Sequence, residues 1–142
     1  APLLELAAAQ GVGARIRSLG SVPAELLPAH QFACDGALIP AINEYASPLK
    51  LFDALAAGVP VVAPDQSNLR EVVRDGQTAL LFAPGSADAL ARTLLRLVQD
   101  RAFAGRLGEA GRAALGQNRW TWSGNAERFV RIYEGLRAGV AR

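Results

Sequence analysis

The chain has 142 residues, of which 51% are hydrophobic and 20% charged, and this composition indicates one folded domain rather than a disordered segment. A formal net charge of +2 and an aromatic content of 6% do not favour a nucleic-acid surface, so we expect no nucleic-acid partner. The single cysteine excludes an intramolecular disulfide, and no apolar run reaches the ~18 residues of a membrane span, so we expect a cytoplasmic protein.

Strand and helix patterns alternate along the chain. The predicted strands are short apolar runs at 14–19, 37–42, 59–63 and 78–82. The predicted helices, which have apolar residues at a helical period, are 2–10, 24–33, 47–57, 69–74, 87–99, 101–116 and 123–138. This order predicts one α/β domain over 1–142 with a Rossmann-like parallel sheet of about four strands, helices on both faces and extra carboxyl-terminal helices.

Two sets of apolar side chains carry the predicted packing of the later helices. The inward-facing residues of helix 87–99 are expected to be Leu90, Leu94, Leu95 and Val98. Two tryptophans that precede the last helix, Trp120 and Trp122, are expected to be packing anchors rather than parts of a binding site.

The loop that follows strand 37–42 leads into a helix start with the features of an anion site. Ser47 occupies the N-cap position and Pro48 the first helical position, and each residue type is favoured there. The next N–H groups, of Leu49 and Lys50, have no acceptor within the helix and carry the positive end of its dipole. Because phosphate is the usual occupant of such a site, the loop predicts a phosphate-binding position, to which Lys50 adds a positive charge.

Asp53 extends this predicted site along the helix. It follows Lys50 by three residues and lies about 8 Å from the helix start, at ~1.5 Å of rise per residue. A diphosphate at the helix start would therefore place a ribose near the Asp53 carboxylate, which accepts hydrogen bonds from vicinal hydroxyls. The alternative is that Lys50 and Asp53 form an exposed ion pair at an ordinary helix start.

A second loop, 64–68, follows strand 59–63 and reaches the same edge of the predicted sheet. Ser67 and Asn68 are candidates for ligand contact, because ligands of parallel sheets bind at the carboxyl ends of strands. The alternative is structural, since Asn68 and Glu71 have the spacing of a capping box. The sequence has no Asp-x-Asp motif, His/Cys cluster or glycine-rich phosphate loop, so we expect neither a metal nor a cofactor.

These segments, taken in order, resemble a known family. The run SPLKLFDALAAGVPVVAPDQSNLREVVRDGQTALLFAPGSADALARTLLRLVQD is similar to the carboxyl-terminal domain of retaining glycosyltransferases of the GT-B fold, the glycosyltransferase group 1 family (family 4). The preceding LGSVPAELLPAHQFACDGALIPA matches the family's helix–strand lead-in, and the later WTWSGNAERFVRIYEGL its closing helix. The resemblance implies transfer of a sugar from a nucleotide-diphosphate sugar to an acceptor hydroxyl, with retention and without a metal.

The resemblance also assigns roles within the first loop. The family's donor site has two acidic residues separated by seven others, and Asp53 matches the second, which holds the donor ribose. The first position falls on Tyr45, and the acidic Glu44 stands one place earlier. Together with the second loop, the predicted donor-binding residues are Glu44, Tyr45, Ser47, Leu49, Lys50, Asp53, Ser67 and Asn68.

The resemblance further implies that this chain is a part of a nucleotide-sugar-binding domain. Two earlier strands, a basic pair that neutralises the leaving diphosphate and an amino-terminal acceptor-binding domain would then lie outside it. We accordingly expect the fragment alone to be inactive and its exposed sheet edge to allow self-association. Two alternatives stay open: a noncatalytic flavodoxin-like or Rossmann-like module that binds a partner protein, and a nucleotide-sugar epimerase of the GT-B fold.

Overall fold

A computed structural model describes residues 2–40, 43 and 49–140 of the chain. The helices are α1 (Pro2–Ala9), α2 (Leu27–Phe32), α3 (Leu49–Ala57), α4 (Ser67–Arg70), α5 (Ala87–Gln99), α6 (Arg101–Gln117) and α7 (Trp122–Val140). The strands are β1 (Ala37–Leu38), β2 (Val61–Pro64) and β3 (Leu80–Phe82), and turns of 3-10 helix lie at Gly13–Arg15 and Ala24–Leu26. None of these helices has the length and apolar character that crossing a bilayer requires.

The described strands form one parallel sheet in the order β1-β2-β3. Ala37 pairs with Val61 in one ladder, and Val62 pairs with Leu80 in the other. The Ile39 N–H also donates to the Val62 carbonyl over 2.9 Å, so the pairing continues one residue beyond β1. The predicted α/β fold with a parallel sheet is confirmed. β1 stands at the end of the strand order, and self-association through this edge stays a prediction.

Helices cover both faces of the sheet. Successive residues of β2 point to opposite faces, so this strand contributes to an apolar cluster on each side. The apolar cluster on one face contains Ile39, Leu51, Ala54, Leu55, Val61, Ala63, Leu69, Val73 and Ala79. The cluster on the other face contains Val62, Leu80, Phe82, Leu97, Ala104 and Leu107. All four residues of β2 are buried, which explains why this segment of the sequence is a continuous apolar run.

The predicted strand at 14–19 is not formed. Residues 13–15 make a turn of 3-10 helix, and the Ile16 N–H donates to the Gly13 carbonyl over 3.1 Å. Ile16 is extended, with φ −108° and ψ 127°, but no strand of the described sheet lies beside it. A strand needs a neighbour for its N–H and C=O groups, and the apolar pattern does not supply one. The described sheet therefore has three strands, where about four were predicted.

Helix α5 has the predicted bounds but turns a different side to the sheet. Leu97 is its buried residue, at 7% exposure, and Leu90 packs partly buried against the same cluster. Leu94, Leu95 and Val98 are 38%, 54% and 70% exposed, so the prediction that they face the sheet is wrong. Leu94 and Val98 instead border a cavity of about 520 Å³ beside β1 and α2, which no described segment fills.

Two glycines of α6 allow this helix to approach the sheet closely. A Cβ atom at Gly108 would stand 2.1 Å from the carbonyl oxygen of Gly58 and 3.2 Å from the nitrogen of Pro60. A Cβ atom at Gly111 would stand 2.7 Å from Cδ2 of Leu55. Gly58 also ends α3 with a φ of 69°, a conformation that favours glycine. Helix α6 therefore passes close to the backbone of the 58–60 segment that leads into β2.

The two tryptophans before the last helix differ in their surroundings. The rings of Trp120 and Phe52 meet edge to face, with centroids 6.1 Å apart at an angle of 76°, so Trp120 is a packing anchor. Trp122 is 83% exposed, and the prediction of a packing role is wrong for it. It begins α7, whose residues Phe129 and Leu136 are also 68% and 65% exposed, and it borders a cavity between α3 and the connection from α6 to α7.

Candidate functional site

The loops after β1 and β2 meet at the carboxyl edge of the sheet. The side-chain nitrogen of Asn68, on α4, donates to the carbonyl oxygen of Asn43, in the loop after β1, over 3.3 Å. Contact between these loops is the arrangement expected of neighbouring parallel strands. The structure thus brings together the two loops in which the sequence placed its candidate residues.

The start of α3 forms one part of this edge. Leu49 begins the helix and is 65% exposed, and Lys50 beside it is exposed as well. Their N–H groups belong to the first turn, which has no acceptor one turn earlier within the helix, so the positive end of the helix dipole faces this edge. The predicted residues Glu44, Tyr45 and Ser47 lie outside the described residues.

Asp53 lies one turn further along α3, on the helix face opposite its buried residues. It lines a cavity of about 540 Å³ between α3 and the connection from α6 to α7. The walls of this cavity include Leu49, Phe52, Leu115, Arg119, Trp120 and Arg128. A largely apolar wall that carries one carboxylate and two guanidinium groups suits a ligand with both apolar and polar parts.

Sequence reasoning missed Arg119 and Arg128 as lining residues of this cavity. Arg119 has a φ of 53°, uncommon for a residue other than glycine, and its guanidinium donates to the Glu127 carboxylate over 2.6 Å. Packing of α6 along α3, completed by the contact of Trp120 with Phe52, brings this connection beside the cavity. Because that packing joins distant segments, no local pattern in the sequence marks these arginines.

Lys50 and Asp53 do not form an ion pair with each other. Within residues 2–40, 43 and 49–140, the ion pairs join Asp65 to Arg70, Asp35 to Arg101 and Glu127 to Arg119. The alternative interpretation of Lys50 and Asp53 as an exposed pair therefore has no support, and both exposed side chains can contact a ligand. The same ranges contain no group of His, Cys, Asp and Glu side chains arranged to hold a metal ion.

Asn68 does not cap α4. The helix begins at Ser67, which is exposed, and the N-cap position is occupied by Gln66. Glu71 follows the end of this four-residue helix, so the predicted capping box of Asn68 and Glu71 is wrong. The helix starts two residues earlier than the motif requires, and the amide of Asn68 is instead directed to Asn43.

Asp65 and Arg70 form a bidentate ion pair across α4. The Arg70 Nε donates to one Asp65 carboxylate oxygen, and Nη2 donates to the other over 2.5 Å. These hydrogen bonds from Arg70 are the main reason that the pKa of Asp65 is lowered; partial burial opposes them, and the Arg70 charge adds to them. The carboxylate therefore stays ionised to lower pH in the folded chain than in the unfolded chain.

This lowered pKa predicts an acid-sensitive contribution to stability. A lowered pKa in the folded state stabilises the fold above the usual Asp pKa of about 3.9, and the contribution is lost as the pH falls through the lowered value. The melting temperature of Asp65→Asn should lie below that of the wild type at pH 7, and the two should converge toward pH 2. Arg70→Gln should behave in the same way. A difference that stays constant from pH 7 to pH 2 would argue against the pair as its source.

Comparison with known families matches residues 1–100 to the family described as glycosyl transferases group 1. The chain belongs to this family. It is 35% identical to the phosphatidyl-myo-inositol mannosyltransferase of Mycobacterium leprae over 89% of this chain and 33% of that protein. It is 30% identical to the GDP-mannose-dependent alpha-(1-6)-phosphatidylinositol monomannoside mannosyltransferase of Mycolicibacterium smegmatis, over 95% of this chain and 37% of that protein.

A solved structure supports the same assignment of this group 1 chain. The sucrose-phosphate synthase of Thermosynechococcus elongatus superposes with a TM-score of 0.84 and 28% identity, covering 96% of this chain and 34% of that one. The predicted fold, that of the carboxyl-terminal domain of GT-B glycosyltransferases, is therefore confirmed. The chain spans about a third of the length of these relatives.

Proposed function

We propose that this group 1 chain binds a nucleotide-diphosphate sugar, and that the protein containing it transfers the sugar to an acceptor hydroxyl with retention. The observation that carries the proposal is the placement of two exposed charges, Lys50 and Asp53, which have no ion-pair partner among the described residues, on the first turns of α3 beside a cavity of about 540 Å³. The names of the two mannosyltransferase relatives, one of them GDP-mannose-dependent, support a donor of this class.

The first turn of α3 is proposed to hold the diphosphate. The N–H groups of Leu49 and Lys50 offer fixed donors at the positive end of the helix dipole, and the Lys50 ammonium adds a mobile positive charge. When the bond between sugar and diphosphate breaks, negative charge develops on the leaving phosphate oxygens. Donors already aimed at that charge stabilise it without reorganising, which is the main contribution of this site to the rate.

Asp53 is proposed to hold the ribose. Its carboxylate accepts two hydrogen bonds from vicinal hydroxyls, and it lies about 4.5 Å along the helix axis from Lys50 at ~1.5 Å per residue. Arg128 in the wall of the same cavity offsets its charge toward an anionic ligand, whereas Arg119 is already paired with Glu127. Through the family resemblance, Glu44, Tyr45 and Ser47 belong to the same proposed site, the first two on the side of the donor sugar.

Nucleotide binding is the direct test of this proposal. A thermal-shift panel of UDP, GDP, ADP, dTDP and their sugars should contain at least one compound that raises the melting temperature. A ligand at a hundred times its Kd stabilises the folded state by about 2.7 kcal/mol, which corresponds to several degrees for a domain near this size. The matching nucleoside without phosphates, at the same concentration, should give a much smaller shift because it lacks the groups that α3 binds.

The panel and an activity assay together separate the alternatives. The absence of a shift with every nucleotide would favour the noncatalytic interaction module. If a nucleotide binds, the intact protein that contains this chain is assayed for turnover. Conversion of the sugar nucleotide to its epimer with no acceptor added would favour the epimerase, and turnover that depends on an added acceptor would favour the transferase.

A further inference from the structure

Helix α7 stands apart from both apolar clusters of the core. Its residues 125–139 are all exposed, and none of them belongs to the cluster on either face of the sheet. Much of this exposed surface is apolar; its large side chains are Trp122, Phe129, Val130, Ile132, Tyr133 and Leu136. In proteins most of the stability of a helix comes from packing of its apolar face. The described part of the chain does not supply that packing to α7.

The spacing of these residues places most of them on one side of α7. Apolar residues recur along this helix at intervals of four and three, the pattern of helices that pack side by side in pairs. They are Trp122, Ala126, Phe129, Tyr133 and Leu136, which we call the α7 stripe. Val130 and Ile132 flank the stripe, whereas charged residues such as Arg131 lie on the other side of the helix.

The exposed apolar area of α7 is large enough for an interface between two chains. Its aromatic side chains are 63–83% exposed, and at roughly 150–250 Å² each the three present on the order of 400 Å². With Val130, Ile132 and Leu136 the total is on the order of 700 Å², near the ~800 Å² that each partner buries in a standard interface. The described edge of β1, Ala37–Leu38, is much shorter and offers a second copy less.

A second copy of the same helix fits the α7 stripe when the two copies run antiparallel. If Phe129 lies opposite Tyr133 of the second copy, Ala126 falls opposite Leu136, because both pairs are centred on position 131. A small side chain then faces a large one on each side of the central aromatic pairs, as close packing requires. The two copies of Arg137 lie about 18 Å apart along the axis, at ~1.5 Å per residue, so these like charges do not meet.

A parallel pair would be less favourable. Each residue would lie beside its own copy, so the two copies of Ala126 would leave a gap and the two copies of Arg137 would stand at the same level. The sheet and its helices join α7 at its amino-terminal end. In a parallel pair both folded units would therefore crowd the same end, whereas in an antiparallel pair they lie at opposite ends.

We propose that α7 is an interaction surface whose partner is α7 of a second copy of this chain, packed antiparallel through the α7 stripe. The pairing gives α7 the apolar contact that the other described residues do not provide. Because association is then coupled to the helix, the helical content of α7 should rise with protein concentration.

Sedimentation equilibrium of the 142-residue chain, over a wide range of concentrations, tests the pairing. The wild type should approach twice the mass of one chain. Phe129→Glu places a carboxylate in the centre of the stripe and should remain monomeric. Ala138→Glu is the matched control, because it introduces the same residue at an exposed position on the other side of α7 and should still form the dimer. A monomeric wild type would overturn the proposal, whether or not α7 is helical, and so would a dimer that Phe129→Glu leaves intact.

Cross-linking with a short bismaleimide tests the direction of the pair. Cys34→Ser removes the one native thiol, and a single cysteine is then introduced by Val130→Cys or by Ala126→Cys. In the antiparallel pair the two copies of position 130 lie about 3 Å apart along the axis, and those of position 126 about 15 Å apart. The first variant should therefore cross-link efficiently and the second should not. Equal cross-linking of both would overturn the antiparallel arrangement, and cross-linking of neither would overturn the contact through α7.

Discussion

Alanine at position 108 is expected to destabilise the domain, although alanine ordinarily strengthens a helix. Its Cβ atom would stand 2.1 Å from the Gly58 carbonyl oxygen, a backbone atom that cannot rotate away. Helix α6 would have to move off β2, which would loosen the cluster around Leu107. Overpacking of this kind costs about 1–3 kcal/mol or more, against a gain of ~1 kcal/mol in helix propensity. Because the obstructing atom belongs to the backbone, we expect the cost to lie near the upper end, about 3 kcal/mol, which leaves a net loss of about 2 kcal/mol and a fall in melting temperature of roughly 4–8 °C.

Gly105→Ala provides the matched control on the same helix. A Cβ atom at Gly105 would meet no other heavy atom within 4 Å. This substitution should therefore stabilise the domain by about 0.4–1 kcal/mol, because it restricts the unfolded chain without straining the folded one. Urea unfolding of both variants measures the two free energies. Equal effects of either sign would show that α6 does not approach β2 as closely as the structure indicates.

The second large effect is expected on donor binding, in variants of Asp53 and Lys50. Asp53→Asn keeps the shape of the side chain but loses charge-assisted hydrogen bonds to the ribose, each of which contributes roughly 1.5–3 kcal/mol, or about tenfold to a hundredfold in affinity. Lys50→Ala removes a partner of the phosphates, and its effect should shrink as salt rises. The Asp53 effect should depend less on salt and should vanish for pyrophosphate, which has no ribose.

Calorimetric titration with a nucleoside diphosphate and with pyrophosphate, at two salt concentrations, separates these roles. Glu109→Gln serves as the control, because it makes the same change of charge at an exposed position on α6, outside the lining of the cavity. If Asp53→Asn weakens both ligands equally, Asp53 does not hold the ribose. If neither Asp53→Asn nor Lys50→Ala weakens either ligand, the start of α3 is an ordinary helix start and the donor site lies elsewhere.

The parts of the fold that local signals determine could be predicted from the sequence. The apolar run at 59–63, enclosed between Gly58 and polar residues, indicated a buried strand, and β2 is found at Val61–Pro64. Helix α5 has the predicted bounds because Ser86 caps it in the ordinary way, accepting from the Ala89 N–H over 3.1 Å. The errors concern tertiary partners: 14–19 has the apolar character of a strand but no neighbour to pair with, and Leu94 is apolar but borders a cavity.

In the candidate site, too, the features set by local signals could be predicted from the sequence, and those set by contacts between distant segments could not. The positions of Lys50 and Asp53 on the first turns of α3 follow from the helix start and from Gly58 at its end, both of which are local signals. The bond from Asn68 to Asn43 and the approach of Arg119 to the cavity join segments far apart in the chain, so no pattern of spacing predicts them.

The close approach of Gly108, on α6, to the 58–60 segment before β2 also fixes the axial position of the helix. Ala104 and Arg112 stand one turn before and after Gly108, so a slip of α6 by one turn in either direction would set a side chain against the Gly58 carbonyl. The helix consequently has a single register. Its far end leads to Trp120 and the cavity wall opposite α3, so the contact that fixes the helix also fixes the position of this wall relative to the sheet. The cavity beside Asp53 should therefore keep its width whether or not it is occupied.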